Sequence, residues 1–188
     1  MNIFYSDPDP RRAARNLDSR RLVKMVLESA QLLSTSLSER GRPAPYRPTH
    51  RHHPCAVAVQ FHRANYDWLL AHFRALCREY RFRYGRTHAC ERFLPVFEAG
   101  RPPARGTGRR VRLPNCTGFP DVRPVVRAYR TALLEKWIHD ARAPTWRGPQ
   151  GGRSPPRWAL TGSRRALRVR GRWERAIRAR APPRASSA

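Results

Sequence analysis

Arg21, Lys24, Glu28 and Gln31 follow one another at steps of three, four and three. On a helix that spacing stacks all four side chains on one stripe. A carboxylate between cations stays ionised, so Glu28 is a candidate to move a proton or to stabilise a cationic intermediate. Lys24, one turn away, supplies an amine. The plainer reading of the stripe is a solvated face with an i,i+4 Lys24–Glu28 pair, worth about 0.3–0.5 kcal/mol.

A second cluster, His50, His52, His53 and Cys55, raises the question of a metal. Its spacing matches no standard zinc pattern, and no further ligand pair stands ready to complete it. No metal and no cofactor are therefore expected. The cluster reads as a basic loop at a helix start, where His50, Arg51 and His53 meet phosphate. Arg63, Tyr66, Trp68, Phe73, Arg74 and Tyr80 interleave cations with aromatic rings, and Arg78 continues the cations. That composition suits stacking on bases and tracking a backbone, although Trp68 and Phe73 equally suit a core. The chain has no Walker A, G-x-G-x-x-G, G-x-S-x-G or H-E-x-x-H pattern.

The charge points to a polyanion. The 188 residues carry a formal net charge of +26, with 39 Lys and Arg against 13 Asp and Glu. All but Lys24 and Lys136 of those cations are arginine, whose forked guanidinium suits phosphate and also stacks on bases. Double-stranded DNA is the expected partner, ahead of an anionic membrane surface. No stretch approaches the ~18 consecutive apolar residues of a membrane span. Nor does Met1–Asp7 resemble a signal peptide. A cytoplasmic protein, nucleoid-associated or phage-encoded, is the expectation. Cys55, Cys77, Cys90 and Cys116 are then expected to be reduced.

These residues need helices to position them. Apolar periodicity predicts a helix from Asp18 or Ser19 to Leu37, with Val23, Val26, Leu27, Ala30, Leu33 and Leu37 facing inward. Pro54 opens a long second helix, about Cys55 to Tyr84, with Val57, Phe61, Ala64, Trp68, Ala71, Ala75 and Leu76 as its stripe and Gly85 as its stop. A helix from His88 to Glu98 is expected to bend or break at Pro95. A Pro/Gly/Arg linker covers residues 100–108. The last helix, Asp121 to Arg142, buries Val122, Val125, Val126, Tyr129, Leu133, Trp137 and Ile138. Beyond Gly148 the composition changes to eleven arginines and one acidic residue, Glu174. Residues 160–177 suit a helix on a polyanion, and alone this tail is expected to be largely disordered.

Leu17-Asp18-x-x-Arg21-Leu22-x-Lys24-x-x-x-Glu28-x-x-Gln31-x-Leu33, followed by His53-Pro54 at a second helix, resembles the pyrimidine-dimer DNA glycosylase (endonuclease V) family. The resemblance spans roughly residues 1–147 and includes Arg142, Pro144, Thr145 and Trp146. It implies an all-helical single domain. Its best-known member attacks deoxyribose C1′ with an N-terminal α-amine, assisted by a first-helix glutamate. Aligned through Arg21-Leu22, that glutamate falls on Glu28. That member exposes a Thr amine by removing its initiator Met, and it has His where Arg21 stands here. In this chain Met1 precedes the larger Asn2, which ordinarily leaves the Met in place. Two amines are thus candidates: the α-amine of Met1 and the side chain of Lys24.

The expectation is an all-α protein with a helical DNA-binding domain over residues 1–147 and a basic tail over 148–188. Its expected role is base-excision repair, as a monomeric DNA glycosylase and abasic-site lyase acting on damaged pyrimidines through a Schiff base. Glu28, Met1 and Lys24 are its catalytic candidates. Arg21, Gln31, His50, Arg51, His53, Arg63, Arg74 and Arg78 are its DNA-binding candidates. A non-catalytic basic nucleic-acid-binding protein, or a degenerate relative without activity, is the alternative.

Overall fold

The computed structural model describes residues 2–103 and 110–179. Met1, most of the 100–108 linker, the Phe61 side chain and the end of the tail lie outside the described residues. Seven α-helices and two short 3-10 turns make up the fold, and the described residues contain no strand. The expected all-α class is thus what the chain adopts.

Helix α1, Pro10–Asn16, starts where the Asp9 side chain accepts the Arg11 N–H. Helix α2, Ser19–Ser38, matches the expected first helix. Its inward face is shifted, because Val23 and Leu27 are 37% and 38% exposed while Leu22, Met25 and Leu32 are buried in their place. Over its last turns α2 is enclosed on nearly every side, with Leu32 to Leu37 all buried.

The expected long second helix is two helices, α3 (Pro54–Phe61) and α4 (Arg63–Tyr84). His62 breaks them with extended backbone at φ −115 and ψ 107. The carbonyl of Ala58 would accept the His62 N–H in a continuous helix; instead the Asn65 side chain donates to it at 3.0 Å. Asn65 also brackets Arg112, donating to its carbonyl at 3.0 Å and accepting from its N–H at 2.7 Å. A buried amide satisfied on both sides makes the break stable. Val57, expected inside, is 42% exposed. Gly85 ends α4 at φ 66, a conformation that suits glycine.

After a 3-10 turn, Ala89–Phe93, comes α5, Leu94–Ala99, so the expected break falls at Leu94, with Pro95 in the first turn. The next helix, α6, is shorter than expected at Val125–His139. Its Tyr129, Leu133, Trp137 and Ile138 are buried, whereas Val122, Val125 and Val126 are half-buried.

The tail departs from the expectation of disorder across 148–179. Gln150 N–H donates to the Arg83 carbonyl at 3.0 Å, and Arg164–Arg178 forms helix α7. Ala166 and Val169 of α7 are buried, and Arg172 donates to the Ile138 carbonyl at 2.8 Å. Periodic apolar residues hidden among arginines thus find a surface on α6, which composition alone does not reveal.

One buried ion pair ties the early helices together. Arg83 is fully buried, and its Nε lies 2.9 Å from Glu79 Oε1. Its Nη1 donates to the Leu17 carbonyl at 2.9 Å and the Ser19 hydroxyl at 3.2 Å. Arg153 donates to the same Glu79 at 2.7 Å. The carboxylate therefore joins α4, the α1–α2 junction and the segment after Trp146.

Candidate active site

The N-terminal segment runs across α2. The backbone N–H of Asn2 donates to Glu28 Oε2 at 3.0 Å. The Lys24 ammonium sits 3.2 Å from the other oxygen, Oε1. Each oxygen of one carboxylate thus has its own partner. The Glu28 side chain is 12% exposed and the Lys24 side chain 73% exposed. Only the carboxylate is therefore sheltered, so the pair is more than a wet-face contact.

The Asn2 side chain builds the turn that holds this arrangement. Its Oδ1 accepts the Phe4 N–H at 2.9 Å. Phe4 is turned into the left-handed region at φ 51, where a bulky side chain is strained. Ile3 and Phe4 are buried, which fixes the segment despite that strain.

Beside Glu28 lies a cleft of about 300 Å³ lined by Asn2, Phe4, Arg20, Arg21, Lys24, Met25, Glu28, Lys136 and Asp140. Four cations and two carboxylates face it. Arg21 is committed to acids: its guanidinium forks onto Asp140 at 2.7 and 3.1 Å and touches Asp18 at 3.0 Å. These carboxylates raise its affinity for its proton against the opposing effect of burial. Arg20 is exposed and 4.0 Å from Asp140, and among the described residues Lys136 makes no ion pair. These two are the cations left to meet an incoming anion.

Asp18 stands at the N-cap of α2 but makes no side-chain cap. It accepts instead from the Trp137 indole at 2.7 Å and from Arg21. The helix start is closed from afar, by the Thr145 carbonyl accepting the Ser19 N–H at 2.7 Å. Trp146, buried, donates to the Asn16 carbonyl at 2.9 Å and packs edge-on to Trp137.

The start of α3 stands behind the N-terminal segment, with the Asn2 side chain reaching the Cys116 carbonyl beside Cys55. His53 caps that helix, its Nδ1 accepting the Cys55 N–H at 3.2 Å. Burial lowers the His53 pKa, while Glu28 works in the opposite direction. Cys55 and Cys116 bring their sulfurs to 3.3 Å, and the Asn2 amide reaches the Cys116 carbonyl at 3.4 Å. The contact splits the two thiols: the hydrogen bond from Cys55 lowers Cys116 to about 7, and Cys55 is raised.

Of the residues expected at the site, Glu28, Lys24 and Arg21 share the cleft. His53 stands near Glu28, and Gln31 is half-buried one turn along α2. Met1 lies outside the described residues. His50 is exposed and bonded to Thr49 at 2.7 Å, and Arg51 pairs with Glu39 at 2.6 Å. Arg63 is engaged by Asp67 and the Pro102 carbonyl, and Arg74 by Glu98. Arg78 is exposed over a separate cavity with Arg11, Arg15 and Arg153. The interleaved aromatics are not a stacking face: Tyr66, Trp68 and Phe73 are buried, and Trp68 donates to the Pro8 carbonyl at 2.7 Å. Asn2, Phe4, Lys136, Asp140 and Cys116 are not legible as site residues, since all five lie outside α2 and far from Glu28 in sequence.

Residues 1–92 match the family model of pyrimidine dimer DNA glycosylase. The match covers Glu28, Lys24, Arg21 and His53 and bears out the resemblance carried by the first helix. It supports a DNA-repair glycosylase role and, with it, DNA binding. No curated protein and no solved structure matches the chain. The glycosylase match stops before α5, so the Lys136 and Asp140 side of the cleft comes from beyond it. No helix among the described residues is long and apolar enough to cross a membrane.

Proposed function

We propose that this chain is a base-excision DNA glycosylase and abasic-site lyase for damaged pyrimidines, working through a Schiff base with Glu28 as its proton-handling group. The observation that carries the reading is the 3.0 Å hydrogen bond from the Asn2 nitrogen to Glu28 Oε2, at the edge of a basic cleft. The reading requires that Met1, which Asn2 ordinarily leaves in place, be removed so that this nitrogen becomes the α-amine, or that the Met1 α-amine reach the same carboxylate. An α-amine has a pKa near 7.7–8.0, about two units or more below that of a lysine, so more of it is an unprotonated nucleophile at neutral pH.

The chemistry divides between neighbouring atoms. The amine nitrogen bonds to C1′ as the glycosidic C1′–N bond breaks, and the pyrimidine leaves with the bonding electron pair and takes a proton from water. The proton lost from nitrogen passes to Glu28 Oε2, which already accepts from that position. Glu28 returns that proton to O4′ as the C1′–O4′ bond breaks and the ring opens to the C1′=N iminium, and loss of a C2′ proton then expels the 3′ phosphate. Arg20 and Lys136 at the cleft are the cations placed to hold the flanking phosphates. The Lys24 amine is engaged by Glu28, and that ion pair must break before it can attack.

Borohydride reduction of the protein with abasic DNA, followed by peptide mapping, tests the reading. A covalent adduct on the nitrogen of Asn2, or on Met1 where it is retained, is the expected result. An adduct on Lys24 transfers the role to the side-chain amine. Folded protein that binds the DNA and forms no adduct is a binding module without lyase chemistry.

A further inference from the structure

Three soft or borderline metal ligands converge beside the N-terminal segment. The ligating atoms of His53, Cys55 and Cys116 all lie within 4.8 Å of one another. His53 and Cys55 belong to the start of α3, and Cys116 to the loop before α6, so folding brings them together across 61 residues. A zinc ion bonded to sulfur at about 2.3 Å and to imidazole nitrogen at about 2.0–2.1 Å requires its ligands to be no farther apart than twice those lengths. The observed cluster meets that limit with small adjustments.

The surroundings suit metal-bound thiolates. Tyr129 brings its hydroxyl to 3.7 Å from the Cys55 sulfur and accepts the Cys116 N–H at 3.3 Å. The backbone of Ile3 also hydrogen-bonds to Cys55. The Tyr129 hydroxyl in turn donates to the Pro114 carbonyl at 2.9 Å, so these contacts fix where the two cysteines stand. Cys55 is buried, whereas His53 and Cys116 are half-buried, which leaves a side open for a fourth ligand such as water.

We propose that His53, Cys55 and Cys116 bind one zinc ion. The ion takes the place of the long 3.2 Å bond by which His53 Nδ1 caps the Cys55 N–H. Two thiol protons are released as two sulfur–zinc bonds form, with no change of oxidation state. The metal ties the loop before α6 to the start of α3 directly under Asn2, whose side chain reaches the Cys116 carbonyl. It thereby fixes the segment that presents the Asn2 nitrogen to Glu28. The inference does not depend on the lyase reading.

Titration of reduced, metal-free, full-length protein with cobalt(II), then zinc, tests it. The expected result is one equivalent of cobalt with a thiolate-to-cobalt charge-transfer band and tetrahedral visible bands, both lost on adding one equivalent of zinc. Cys55→Ser and Cys116→Ser should each abolish the charge-transfer band or reduce it by half or more, and His53→Gln should weaken binding at least tenfold. The Cys77→Ser/Cys90→Ser double variant should leave the spectrum intact and controls for thiols elsewhere. Folded protein with helical circular dichroism that binds less than a stoichiometric amount overturns the proposal. So does a band that keeps its full intensity in Cys116→Ser, or a Cys55–Cys116 disulfide that forms in air in the presence of excess zinc.

Discussion

Arg21 on α2 forks onto Asp140 at the end of α6, with nitrogen–oxygen distances of 2.7 and 3.1 Å. The contact spans 119 residues and closes one wall of the cleft that contains Glu28. Both side chains are mostly sheltered, at 12% and 18% exposed. Asp140→Ala leaves a half-buried guanidinium with Asp18 alone, and should cost about 1–3 kcal/mol, read by urea denaturation. Arg21→Lys should recover little, because an ammonium cannot make the two-pronged contact. Equal stability of Arg21→Lys and the parent would show that the fork contributes nothing.

Glu28→Gln keeps the shape of the side chain and removes its charge. Strand cleavage at an abasic or dimer site should fall by about 10²-fold or more, the scale of a positioned acid–base group. DNA affinity should hold or rise, since a negative charge near phosphate has gone. A variant that cleaves at the parent rate reduces Glu28 to a partner of Lys24.

Arg83→Met removes the cation from a buried pair and leaves Glu79 with Arg153 alone. Breaking one partner of a buried ion pair costs about 3–5 kcal/mol, because a charge stays buried without full compensation. The Leu17 carbonyl and Ser19 hydroxyl lose a donor in the same step. Thermal unfolding should shift downward accordingly. The double variant with Glu79→Leu should recover part of the loss, since it removes the stranded charge.

His72 makes stability depend on pH. Its Nδ1 is 3.0 Å from the Pro10 carbonyl and its ring stacks on Trp68. Burial pushes its pKa down to about 4. The folded state therefore holds the neutral ring, while the unfolded chain takes up a proton near pH 6.5. Its contribution is complete above about pH 6.5 and is lost as pH falls towards 4, at about 1.4 kcal/mol per unit, or roughly 3 kcal/mol in all. Denaturant midpoints at pH 7 and 5 should diverge in the parent and converge in His72→Gln. An unchanged divergence would assign the titration to another group.

Much of the local design was legible in order of residues. The Arg21–Lys24–Glu28–Gln31 stripe needs only the 3.6-residue period, and α2 appears where that period places it. Gly85 marked the end of α4, and Tyr129, Leu133, Trp137 and Ile138 marked the buried face of α6. The match of residues 1–92 to the glycosylase family includes that stripe. The break at His62 was not legible, because it depends on Asn65 meeting Arg112 from a distant loop.

Charge was the least informative feature at the level of single residues. A net charge of +26 suits a polyanion as partner but does not say which arginines are free. Arg21, Arg51 and Arg74 have carboxylate partners that only tertiary structure supplies, Arg63 has one a turn away on its own helix, and Arg20, Lys136 and Arg78 remain exposed or unpaired among the described residues. The sequence by itself determined a helical chain with a carboxylate among cations, since helical period and residue type are local properties. Tertiary structure decided that the Asn2 nitrogen meets that carboxylate, that Cys116 joins His53 and Cys55, and that α7 folds onto α6. Those are contacts between distant segments, and their free energy comes from burial and hydrogen bonding that no local pattern encodes.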